Sequence, residues 1–270
     1  MIKKGAVLLT VVVPFVAAAR PATAWGPAAH RAVTAKAIDT LPGGIKDFYK
    51  SHRLELPTLA LDADIPEEGP DRRFAVDRLL PFPFTELPRT ESAVQARFGD
   101  SAGHVGRLPW LIQESYARLV EAFKSKDKAK IVEESDVLAG LVADLDNPLA
   151  VTDNADGQKS DQHGLWMRFS VRFPEAAEMA VKLSADAARY LDDPKEYVFS
   201  MMKGAYVWVD NILYQEELAH RGKGGYTEAY YEALATRAGE LLRLRLSQAA
   251  EDVGSYWYTA WTAAGRPELK

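Results

Sequence analysis

The chain has 270 residues, with 33 Lys and Arg against 38 Asp and Glu, 47% hydrophobic residues and no cysteine. The lack of cysteine excludes a disulfide-stapled mini-protein, a cysteine-ligated zinc finger, an iron–sulfur protein and a thiol enzyme. A net charge of −5 argues against a broad nucleic-acid-binding basic face, because a polyanion would meet net repulsion; the high apolar content is that of a globular chain.

Residues 1–24 read as a signal peptide. Lys3-Lys4 form a positive start, Ala6 to Ala19 is almost wholly apolar, and Ala22-Thr23-Ala24 supplies the small-x-small pattern of a cleavage site. The apolar run falls short of the roughly 20 residues of a transmembrane helix and ends at Arg20-Pro21. An exported protein, periplasmic or secreted, with no transmembrane segment is therefore expected. Trp25 would be its first mature residue, and losing Lys3, Lys4 and Arg20 would leave a net charge of −8.

From residue 25 onward the pattern predicts helices joined by loops. Pro27 to Leu41 carries Val33, Ala37, Ile38 and Leu41 at helical spacing before Pro42-Gly43-Gly44. Six prolines between Leu54 and Pro88 rule out regular structure there, and long loops in compact domains are usually functional. Leu108 to Lys124 is strongly amphipathic, and Lys128 to Asp146 forms a further helix stopped by Asn147-Pro148. Val151 to Gly164 is a polar loop. Helices are expected again over 165–173, 174–190, 194–220 and 227–264. No alternating β pattern, internal repeat or linker interrupts the chain, so residues 25–270 are expected to form one all-α domain.

Residue chemistry alone offers little. No two of the five histidines (His30, His52, His104, His163 and His220) share a helical face at metal-pair spacing. No phosphate loop, nucleophile elbow or dinucleotide fingerprint is present. Asp144, Asp146, Asp153, Asp156 and Asp161 gather near one helix end and its loop, where acidic residues usually cap helices or face water.

Several motifs in order carry a resemblance. Trp25-Gly26-Pro27-Ala28-Ala29-His30 resembles the mature start of the S1/P1 nuclease and zinc-dependent phospholipase C superfamily. Leu59-Ala60-Leu61-Asp62-Ala63-Asp64 is similar to its aspartate-bearing loop. Val142 to Ala150 resembles its His-x-x-x-Asp-x-x-x-x-x-His element. Gly164 to Phe169, and Ser255 to Trp261 with Gly265-Arg266-Pro267, resemble helices of its bacterial members.

The resemblance implies a helical fold of the phospholipase C/P1 nuclease type, with a long proline-rich loop. It also implies phosphodiester hydrolysis, of phospholipid or nucleic acid, on clustered zinc ions. Carried over position by position, Trp25, His30, Asp64 (or Asp62) and Asp144 match metal ligands, with Asp64 also a candidate catalytic group. The loop histidine falls at or beside Arg73, and the remaining ligand positions hold Gly140, Ala150, Trp166 and Ser170. At most one zinc site, at Trp25, His30 and Asp144, is thus expected.

Two functional expectations follow, and a purely structural exported protein is a third. One is a catalytically impaired, phosphate-ester-binding relative in which Arg73 takes a metal's place beside the carboxylates or contacts phosphate, unless it points into solvent. The other is an active hydrolase with a reduced one-zinc centre, helped by Asp146, Asp153, Asp161 or His163. The aromatic residues Tyr256, Trp257, Tyr258 and Trp261 are expected to be core rather than a surface.

Overall fold

The computed structural model describes residues 24–56, 72–177 and 182–269. Helix α1 (Pro27–Thr40) opens with Pro27, whose missing N–H is no loss in a first turn. Two helices that the sequence reading did not anticipate follow, α2 (Lys46–Ser51) and α3 (Glu91–Phe98), the latter capped by Thr90 Oγ1 accepting from Ala93 N at 3.3 Å. Next come α4 (Leu108–Ser125) and α5 (Lys128–Leu145), where the Asp127 side chain accepts from Lys130 N at 3.1 Å. After α6 (Phe173–Ala177), α7 (Pro194–Tyr206) and α8 (Val209–His220), the 36-residue α9 (Glu228–Ala263) ends the fold. Among the described residues there is no strand, and the helices form a single domain.

Helix α5 is the axis. Its last two turns and the following bend, Leu138 through Thr152, are buried without a break, because α1, α4, α7 and α9 all pack on it. Polar side chains at this end of α5 cannot reach water and must find partners inside. Tyr49 stacks on Trp257 at 4.4 Å between ring centres. Both reach Ser135 of α5, by Tyr49 Oη to Ser135 Oγ at 2.8 Å and by Trp257 Nε1 donating to Ser135 O at 3.0 Å. Tyr256 and Trp257 are fully buried and Trp261 nearly so, as their helical spacing predicted.

Two segments depart from expectation. The helix predicted over 174–190 stops early, and residues 182–191 run without helical structure along α9. There the N–H groups of Ser184, Arg189 and Leu191 donate to Ser247 Oγ, Ser255 Oγ and Thr259 Oγ1 at 3.0, 3.1 and 3.0 Å. Side-chain hydroxyls thus satisfy backbone groups that a helix would otherwise have paired internally. Gly254 permits this close approach, since a Cβ there would lie 2.1 Å from Thr40 Oγ1 and 3.3 Å from Ala188 Cβ. The single helix predicted over 194–220 is broken at Val207-Trp208 into α7 and α8. Among the described residues no helix is long and apolar enough to cross a membrane.

Candidate functional site

Trp25 sits entirely inside the fold, with its ring 6.1 Å from that of Phe169. Its position follows from a local irregularity. Residues Met167–Arg172 form a π-helical turn running into Phe173-Pro174. Pro174 has no N–H to give to the carbonyl of Ser170 one turn back, and that carbonyl instead accepts Gly26 N at 2.9 Å. Asn147 closes the arrangement by donating Nδ2 to Ala24 O and, at 2.9 Å, to Ser170 Oγ. The 24–26 segment is therefore tied at one end to the buried bend after α5 and at the other to the Met167–Arg172 turn.

At the centre lies Asp144, with no exposed surface. Its Oδ1 accepts the backbone N–H of Ala24 at 3.0 Å and of Trp25 at 3.1 Å, and His30 Nε2 lies 3.0 Å away. Its Oδ2 accepts from Arg72 Nε at 2.8 Å, with Arg72 Nη2 at 2.6 Å. Burial alone would raise the pKa of this carboxyl, but the Arg72 charge, His30 and the Trp25 amide together hold it below the usual carboxylate range. Asp144 is an anion with every lone pair engaged.

The residues picked from sequence fare unequally. Trp25, His30 and Asp144 converge as expected. Asp64 and Asp62 lie outside the described residues. The cation on the carboxylate is Arg72, not Arg73, a slip of one residue that reverses which side chain faces inward. Gly140, Ala150 and Ser170 are buried, and Ser170 supports Asn147 instead of a metal. Of the residues proposed to rebuild a metal site, none touches Asp144. Asp146 bonds Arg245, Asp153 pairs with Arg78 at 3.1 Å and Lys159 at 2.6 Å, and Asp161 and His163 are exposed. Asp156 acts as a cap, accepting from Gly164 N and Trp166 N.

The expected zinc site is overturned by this geometry. Among the described residues no three His, Asp or Glu side chains gather so as to hold a metal ion. Zinc needs about four ligands with oxygens near 2.0–2.2 Å, whereas a fixed guanidinium and two backbone N–H groups already take the Asp144 lone pairs. With Ala24 attached, Trp25 N is a peptide N–H that donates to that carboxylate and has no lone pair to offer a metal. Arg72 and Asn147 are the members of this buried cluster that sequence reasoning missed; the Arg72-Arg73 pair was the signal for the first.

Arg73 occupies a different setting. It is half-buried, and among the described residues its guanidinium meets no hydrogen-bond or ion-pair partner. Burial pulls its pKa down while Asp153 works in the opposite direction. Asp153 is already held by Lys159 and Arg78, whose charges outweigh burial and keep its carboxyl low. Three cations thus gather around one carboxylate at the rim of the 72–78 segment. Comparison of the sequence with models of known protein families and with curated proteins returns no match.

Proposed function

We propose that this chain is a catalytically impaired, phosphate-ester-binding relative of the zinc-dependent phosphodiester hydrolases. The observation that carries the reading is the Arg72 guanidinium seated on Asp144 Oδ2, at the carboxylate which the resemblance assigns to metal bridging. A fixed organic cation offsets the buried charge but cannot polarise a water as a Lewis acid does. Arg73, cationic and without a protein partner among the described residues, suits contact with a phosphate oxygen, and Arg78 and Lys159 add charge nearby. The shared order of the separate motifs between Trp25 and Pro267 supports the kinship.

The test separates binding from turnover. Glycerophosphocholine titrated into the protein should bind, and Arg73→Ala should weaken that binding about tenfold or more, the worth of one charge-assisted hydrogen bond. Bis(p-nitrophenyl) phosphate should not be hydrolysed, with or without added zinc. Zinc-dependent turnover would overturn the impaired chemistry, and absence of binding would remove the phosphate-ester ligand.

A further inference from the structure

A polar cavity lies at the C-terminal end of α5, of about 340 Å³ and lined by Asp146, Arg189, Tyr197, Met201, Gly204 and Asp252 among others. That volume is within the range of small-molecule sites, about 300–1,000 Å³. Asp146 comes from the cap of α5, Arg245, Glu251 and Asp252 from α9, Tyr197 from α7, and Arg189 from the extended segment beside them. Three carboxyls stand against two guanidiniums, so one carboxyl has no counter-charge and must take a proton or meet a ligand's cation.

The partners of these groups are unevenly distributed. Arg245 bonds Asp146 Oδ1 through Nη2 and the Asp146 carbonyl through Nε at 3.1 Å. Asp252 accepts from Tyr197 Oη at 2.6 Å and from Gln248 Nε2 at 3.3 Å. Arg189 gives its Nη2 to Tyr197 Oη at 2.7 Å, while its Nε stands 3.8 Å from Glu251. Asp146 Oδ2 receives no N–H donor from the fold, although the residue is fully buried; the Asp252 carboxyl faces it, and the two can hydrogen-bond only through a shared proton. An orphaned carboxylate oxygen on the wall of a polar cavity is costly unless something positive meets it. Burial and the facing Asp252 raise the Asp146 carboxyl well above its ordinary range, and burial raises Asp252 too, which is the electrostatic preference for a further positive charge.

We propose that this cavity binds a small organic cation, a primary ammonium or guanidinium compound, with its charged end against Asp146 and Asp252. Such a group carries several N–H donors and can serve Asp146 Oδ2 and Asp252 together, replacing the one proton that otherwise keeps the pair from being doubly charged. A bare metal ion is disfavoured, since no three ligating side chains converge among the described residues. Met201 and the open face of Gly204 leave room for the ligand's carbon chain.

The site is tested by calorimetric titration with n-butylammonium, n-butylguanidinium and, as the uncharged control, 1-butanol, each to millimolar concentration. At least one cation should bind with a stoichiometry of one, and butanol should not. Asp146→Asn should weaken the cation about tenfold or more. Gly204→Leu keeps the test valid if that variant fails to fold. Gly204 lines the cavity and is exposed, and a Cβ there meets no atom within 4 Å, so a leucine is tolerated at the cavity mouth and should weaken binding while the melting temperature holds. No heat from either cation, equal binding of butanol, or unchanged binding by Gly204→Leu would each overturn the proposal.

Discussion

Asp144 and Asp146 stand two residues apart at the end of one helix, both buried, yet the fold treats them in opposite ways. Asp144 receives two backbone amides, the His30 ring edge and a guanidinium that takes one oxygen with two nitrogens. Asp146 receives one guanidinium and faces a second carboxyl. Burial costs the two charges alike, so what differs is the supply of donors: the first carboxyl is held ionised and the second is driven toward its protonated form. Buried charge is therefore not one kind of feature, and its consequence is read from the partners.

The largest expected effect falls on the first site. Arg72→Ala leaves Asp144 buried without its main counter-charge and should cost about 3–5 kcal/mol, read by urea or thermal unfolding. Asp252→Asn should do the reverse at the second site. It removes a carboxyl that opposes Asp146 and keeps one oxygen to accept from Tyr197 Oη, giving up only the longer Gln248 contact at 3.3 Å, so stability at neutral pH should change by less than about 1 kcal/mol and in the stabilising direction. A large loss there would erase the contrast.

A packing change ranks next. Gly254→Ala forces a methyl against Thr40 Oγ1 and the extended segment, and overpacking of this kind costs about 1–3 kcal/mol. Unchanged melting would mean that 182–191 does not lie against α9.

The pH dependence sharpens the same comparison. The folded pKa of Asp144 is depressed, so its contribution is present above the ordinary carboxylate range and is lost as pH falls through the folded value. The folded pKa values of Asp146 and Asp252 are raised. The folded state there holds more protons than the unfolded chain, and their contribution falls as pH climbs from about 4 toward the folded values. Arg72→Ala should flatten the acid limb of a stability–pH curve, and Asp252→Asn the limb above it. The smallest effect is expected for Arg73→Ala, below about 1 kcal/mol, because its guanidinium has no described partner to lose; of the alternatives left open by the sequence, this goes against the one in which Arg73 anchors the carboxylates.

Helical periodicity made the class legible. Leu108 to Lys124 and Thr227 to Ala264 were readable because apolar residues recur every third or fourth position and prolines or caps mark the ends. The trio Trp25, His30 and Asp144 was also legible, from motif order. Arg72 was not separable from Arg73, since adjacent residues in a loop differ only in which way the backbone aims them. The 182–191 segment reads as helix because its alanines favour one, and nothing local announces the hydroxyls of Ser247, Ser255 and Thr259 waiting on α9. The meeting of Asp146 with Asp252 and Arg245 was invisible for the same reason: distant stretches of chain supply its parts.

By itself the order of amino acids determined that this chain would be helical, and where helices such as Leu108–Ser125 and Glu228–Ala263 begin and end to within about a residue. Only the tertiary structure decided which cation sits on Asp144, and that Asp146 would be left with an oxygen in need of a donor. The physical reason is that helix formation depends on neighbours along the chain, whereas the state of a buried charge depends on whichever groups packing brings within about 3 Å of it.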